Sequence, residues 1–153
     1  MSIKFERRIG IAAPDEVVWE VLADIPNWPT WNAMYPRAQG ELRIGAAWEL
    51  DVALRGQPLR TINPVILDWV PYDHIHWQLR MMRGWARSVR YLEIEKMGPT
   101  NVIFSNGELF DGWMGPSIAR KLRNPLLEGF DNLNQAIKEK SEIIWNERQV
   151  SAK

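Results

Sequence analysis

A chain of 153 residues with 19 basic and 19 acidic side chains has the length of one hydrophobic core, and its balanced charge offers no footprint for nucleic acid or an anionic membrane. The absence of cysteine excludes disulfides, thiolate metal ligands and a cysteine nucleophile. The opening MSIKFERRIG is charged where a signal peptide needs an apolar core, and no stretch reaches the ~18 apolar residues of a membrane span. These features predict a cytoplasmic protein with one domain over residues 1–153 and no membrane insertion.

Residues 3–11 (IKFERRIGI) alternate apolar and charged side chains for much of their length, the period of a half-buried strand. The period then changes. Pro14 suits a helix start, Asp15 and Glu16 complement its positive end, and Val17, Val18, Val21 and Leu22 make an apolar stripe, so a short helix is expected to about Ala23. The following DIPNWPTWN carries Trp28 and Trp31 between prolines that permit at most a second short helical turn. From residue 37 to about 111, segments rich in β-formers alternate with glycine and proline, which predicts about six antiparallel strands. WELDVAL sets Trp48, Leu50, Val52 and Leu54 on one face, and HIHWQLRM does the same for Ile75, Trp77, Leu79 and Met81. From Pro116 onward, Ile118, Leu122, Leu126, Phe130, Leu133 and Ile137 recur at helical spacing. Pro125 predicts a kink or short break near Asn124, and the tail after Lys140 either frays or docks through Ile143, Ile144 and Trp145. The order of elements is that of an α+β domain.

Nine tryptophans outnumber the four phenylalanines and three tyrosines. Each indole brings a wide apolar face and one N–H that needs a partner when buried. The excess hints at an aromatic-lined space, although for any single ring structural packing is the better account.

The element order, IAAPDEVVWEVLADIPNWPTWN at residues 11–32, GELRIG at 40–45, and NGELFDG at 106–112 before the last helix resemble the START-like (SRPBCC) superfamily. Polyketide cyclase/dehydrase-like proteins and birch-pollen-type allergens share its helix-grip fold. The resemblance covers nearly the whole chain. It implies a curved antiparallel β-sheet wrapped around a long C-terminal α-helix, with two short helices after the first strand. Between sheet and helix it implies a cavity for a hydrophobic, aromatic or polycyclic small molecule. By the same resemblance Trp28 and Trp31 stand near the cavity's end, one packing and the other meeting the ligand.

Strand alternation proposes the polar groups of that cavity. If Leu92 and Ile94 face inward, Ser88 and Arg90 share their face. On the next strand Phe104, Asn106, Glu108 and Phe110 also face inward, with Gly107 allowing a bulge. The tight turn at Gly98-Pro99 makes the two strands neighbours, so Arg90 lies close to Asn106 and Glu108. Two readings stand. Arg90 and Glu108 form a structural ion pair beneath the pocket, or Arg90 holds a ligand's oxygen while Glu108 moves a proton, as in a cyclase/dehydratase or lyase. Trp113, before the long helix, either lines the opposite rim or seats that helix. Tyr35 is expected to keep its hydroxyl in water. His74 and His76 fall on the outer face without an evident third ligand, and read as exposed histidines with no metal. No cofactor fingerprint occurs. A third reading is a protein-interaction or assembly module, and the oligomeric state is open.

Overall fold

The computed structural model describes residues 2–153. Strand β1 (Ile3–Ile11) leads to helix α1 (Asp15–Ala23) and a 3-10 helix (Ile25–Thr30). Strands β2 (Arg37–Gln39), β3 (Glu49–Val52), β4 (Arg60–Ile62), β5 (Val65–Val70), β6 (His74–Met81), β7 (Ala86–Gly98) and β8 (Asn101–Asp111) follow, and helix α2 (Gly115–Ser151) closes the chain.

Five strands form an antiparallel sheet in the order β1-β8-β7-β6-β5, and β2-β3-β4 form a second. The two are continuous through the backbone. Ala47 bridges Val65, and the amide of Trp48 donates to Pro64 at 2.8 Å, so the segment leading into β3 runs beside β5. The result is the curved sheet and long helix of a helix-grip fold.

Alternation explains which side faces the helix. Ile75 and Trp77 on β6, Leu92 and Ile94 on β7, and Phe104 and Phe110 on β8 are buried. From α2 the buried stripe Leu126, Phe130, Leu133 and Ile137 meets them. Each such side chain contributes roughly 1.5–3 kcal/mol when fully buried.

Two local expectations change, and one stated alternative is resolved. Helix α2 runs unbroken past Pro125, because the apolar stripe on either side holds the segment although one backbone hydrogen bond is forfeited. The tail docks rather than frays: Ile144 and Trp145 pack on the core, and Arg148 pairs with Glu20 of α1 at 2.6 Å. No bulge occurs at Gly107, which stays in register between Glu6 and Tyr91. Its missing side chain serves close approach instead, since a Cβ there would lie 2.6 Å from the Phe5 carbonyl oxygen and against the Tyr91 ring.

Candidate functional site

The 3-10 helix folds Trp28 back on α1, where its indole N–H donates to the Leu22 carbonyl at 2.9 Å. The ring is wholly buried against Trp48, Trp77 and Tyr35, with centroids 5.7, 6.1 and 5.6 Å away. Trp28 is therefore a packing residue. Trp31 meets it edge-on and lines an outer groove with Glu20, Asp24 and Lys140. Neither indole lines the internal cavity, a correction to the expected placement. The cause lies at the helix end: Trp28 sits within the 3-10 helix, whereas Trp31 is its C-cap, at φ −133° and ψ −21°, and leaves the helical course.

The cavity lies deeper along the sheet. Ser88 and Arg90 on β7 and Glu108 and Phe110 on β8 line it, with Trp77 from β6 and Leu122 from α2. Its volume is about 30 Å³, room for roughly one water molecule. A second hollow of about 120 Å³, lined by Gln57 and Pro58, shares Val52, Leu54, Arg60 and Leu122 with it and forms a vestibule. The mouth thus opens between the β3–β4 loop and α2, away from the tryptophan pair.

Arg90 is only 1% exposed and lies opposite Glu108 in the β7–β8 register, yet the two form no ion pair. Its guanidinium is committed elsewhere. Nε donates to the Tyr35 hydroxyl at 3.0 Å, and Nη1 to the carbonyls of Gly107 at 3.0 Å and Tyr91 at 3.2 Å. Nη2 meets only the Met34 sulfur at 3.8 Å, and the cation stands 4.3 Å from the Phe130 ring centroid. Carbonyl dipoles and an aromatic face thus stabilise a buried charge that touches no carboxylate. The structural ion pair expected from the sequence is replaced by this set.

Glu108 is left as a carboxyl aimed at the cavity. The residue is half-buried and lines that space. Burial pushes its proton affinity up from the ordinary carboxylate range, while the Arg90 charge and the Ser88 hydroxyl pull it back less strongly. Burial likewise raises the Tyr35 hydroxyl. The floor therefore offers a carboxyl with raised proton affinity, a hydroxyl and one weakly held guanidinium donor under apolar walls, an arrangement suited to holding a polar edge of a flat molecule.

Other expected site residues lie elsewhere. Phe104 is wholly buried core, and Asn106 ties β8 to α2 through the Phe130 carbonyl at 3.0 Å and Asn134 at 3.1 Å. Trp113 is 80% exposed and packs edge-on against Trp85. Tyr35 is a residue the sequence misplaced: its hydroxyl is buried on Arg90. Arg60 and Leu122, at the mouth, carried no functional signal beyond their strand and helix positions.

Fold and cavity together define a helix-grip domain. The chain belongs to the polyketide cyclase/dehydrase and lipid transport family, whose model matches residues 2–140. Among solved structures it is similar to the Zhui aromatase/cyclase from Streptomyces sp. R1128, with a TM-score of 0.75 and 18% identity over 93% of this chain and 94% of that one. The di-domain aromatase/cyclase StfQ of the steffimycin biosynthetic pathway gives a TM-score of 0.72 at 13% identity, covering 93% of this chain and 51% of that one. Norcoclaurine synthase from Thalictrum flavum, in complex with dopamine and hydroxybenzaldehyde, gives 0.67 at 9% identity over 91% of this chain and 86% of that one. At such identities the likeness concerns the fold. No curated protein matches the chain. No helix among the described residues is long and apolar enough to cross a membrane.

Proposed function

We propose that this protein binds a hydrophobic, aromatic or polycyclic small molecule in the sheet–helix cavity, with Glu108 facing a hydroxyl or carbonyl of the ligand. The observation that carries this reading is the Glu108 carboxyl, which lines a mostly apolar cavity beside Ser88 and Arg90 without an ion-pair partner. Leaving it there has a cost in stability, and a ligand's polar edge would offset that cost. The cavity of about 30 Å³ admits a ring only when Leu122 and Arg60, shared with the vestibule, swing aside. Flexible Met34 and Met81 in its wall suit such repacking. The complexes of norcoclaurine synthase with aromatic molecules, and the family's cyclase/dehydrase members, support the choice of ligand class.

Catalysis is the second reading, favoured by the raised proton affinity of Glu108, which suits a proton donor to a carbonyl or leaving hydroxyl. Arg90 Nη2 would hold the developing oxyanion. The exposed pair Trp85 and Trp113 favours a third reading, an interaction module. Titrating phenols, aromatic polyketides, sterols and fatty acids into the protein, followed by native mass spectrometry and tryptophan fluorescence, tests them together. A binder takes up one class saturably and loses affinity in Glu108→Gln; an enzyme keeps affinity there but loses turnover. If no class binds, the cavity reading is abandoned for the interaction module.

A further inference from the structure

The outer face of the sheet carries a cluster that the cavity does not use. His74 and His76, the chain's two histidines, stand two residues apart on β6 and therefore share a face. Their rings stack with centroids 4.3 Å apart. They are half-buried rather than freely exposed, with side chains 13% and 27% accessible.

Strand β5 supplies the ligand that alternation could not. Its register with β6 shifts between Ile66, opposite Trp77, and Asp68, opposite His76. Without that bulge Leu67 would occupy the position across from His76; with it a carboxylate does. Asp68 Oδ2 comes to 2.8 Å from His74 Nε2, and Asp73 Oδ2 holds the other ring nitrogen, Nδ1, at 2.5 Å. From β7, Glu93 Oε2 reaches His76 Nε2 at 2.9 Å. One donor atom from each of Asp68, His74 and His76 falls within 4.8 Å of the others. Among the described residues no lysine or arginine pairs with Asp68, Asp73 or Glu93, so three carboxylates surround the two imidazoles without a fixed cation. A network of isolated surface pairs contributes little to stability. It does not by itself account for a bulge that sets a carboxylate beside two stacked imidazoles.

The geometry points to a binding site for a divalent transition cation of the zinc class, with His74, His76 and Asp68 as ligands and Glu93 beside His76 Nε2. Nitrogen and carboxylate donors at roughly 2.0–2.2 Å suit zinc, and closing the cluster to that size needs movements of about 1 Å in side chains that are partly free at the surface. Asp73 on Nδ1 of His74 plays the orienting part that a carboxylate behind a ligating imidazole commonly plays. The site would clip β5, β6 and β7 together, which binding to the native state alone would register as added stability.

The test uses tag-free, chelator-treated protein titrated with Zn²⁺ and Co²⁺ and followed by imidazole ¹⁵N NMR. With two histidines in the chain, every ring signal belongs to this cluster. Expected are one ion per chain, a shift of both Nε2 resonances, tetrahedral Co²⁺ absorption, and a rise in Tm of roughly 5–10 °C at about 100 times Kd. His74→Gln, His76→Gln and Asp68→Asn should each weaken binding at least tenfold. Absence of saturable binding below millimolar zinc overturns the proposal, as does binding that leaves the histidine resonances unmoved, which would mean an adventitious ion only. The wild-type NMR result stands whether or not a variant folds.

Discussion

Tyr35 and Arg90, in a loop and on a central strand, meet inside the protein at 3.0 Å, the hydroxyl accepting from Nε. The contact holds the guanidinium away from Glu108 and so leaves the carboxyl to the cavity. Tyr35→Phe strands the buried Nε donor of the Arg90 cation and should cost about 1–3 kcal/mol. Urea unfolding at constant m would measure it, and a loss below about 0.5 kcal/mol would mean that Arg90 finds another acceptor.

Glu108 makes stability depend on pH with a definite sign. Its proton affinity is raised in the folded state, so the native protein binds more protons than the unfolded chain between the ordinary glutamate range and the raised value. Stability therefore falls as pH rises through that window. Glu108→Gln removes this dependence. Melting curves should show the variant gaining on the wild type as pH increases above the ordinary glutamate range; a difference that stays flat from about pH 4 to about pH 9 would contradict it.

The two ends of the tryptophan range should behave oppositely. Trp28→Ala opens a hole in the aromatic core and loses the bond to Leu22, at a cost of about 3–5 kcal/mol. Trp113→Ala touches an exposed ring and should stay within about 0.5 kcal/mol. Denaturant midpoints of the two variants check both.

Gly107→Ala would press a methyl against the Phe5 carbonyl oxygen, 2.6 Å away, and the Tyr91 ring. The clash should cost about 1–3 kcal/mol, and it should disturb the hydrogen bond from Tyr91 to Glu6. A variant as stable as the wild type would show that β1 yields easily.

Much of this was legible in the sequence because β7 and β8 are long and paired by a tight turn; Ser88, Arg90 and Glu108 fell on the inner face for that reason. Alternation gives a face but not a rotamer, so it placed Arg90 near Glu108 without revealing that Tyr35 and two carbonyls take its donors. Trp28 and Trp31 lie in a segment whose prolines remove any regular period, and their directions differ because the chain leaves the 3-10 helix at Trp31. Asp68 was hidden by a bulge, which shifts register by one residue and reverses every face assignment beyond it.

In the proposed function a ligand enters between the sheet and α2 and rests on Glu108. Indole ¹H–¹⁵N spectra recorded during titration with a hydroxylated aromatic ligand test it most directly. The nine tryptophans report from distinct places: Trp77 lines the cavity, whereas Trp85 and Trp113 stand on the outside. A saturable shift of the Trp77 signal that weakens in Glu108→Gln is the predicted result. Shifts confined to Trp85 and Trp113, with Trp77 unmoved, would contradict the cavity and move the function to the surface.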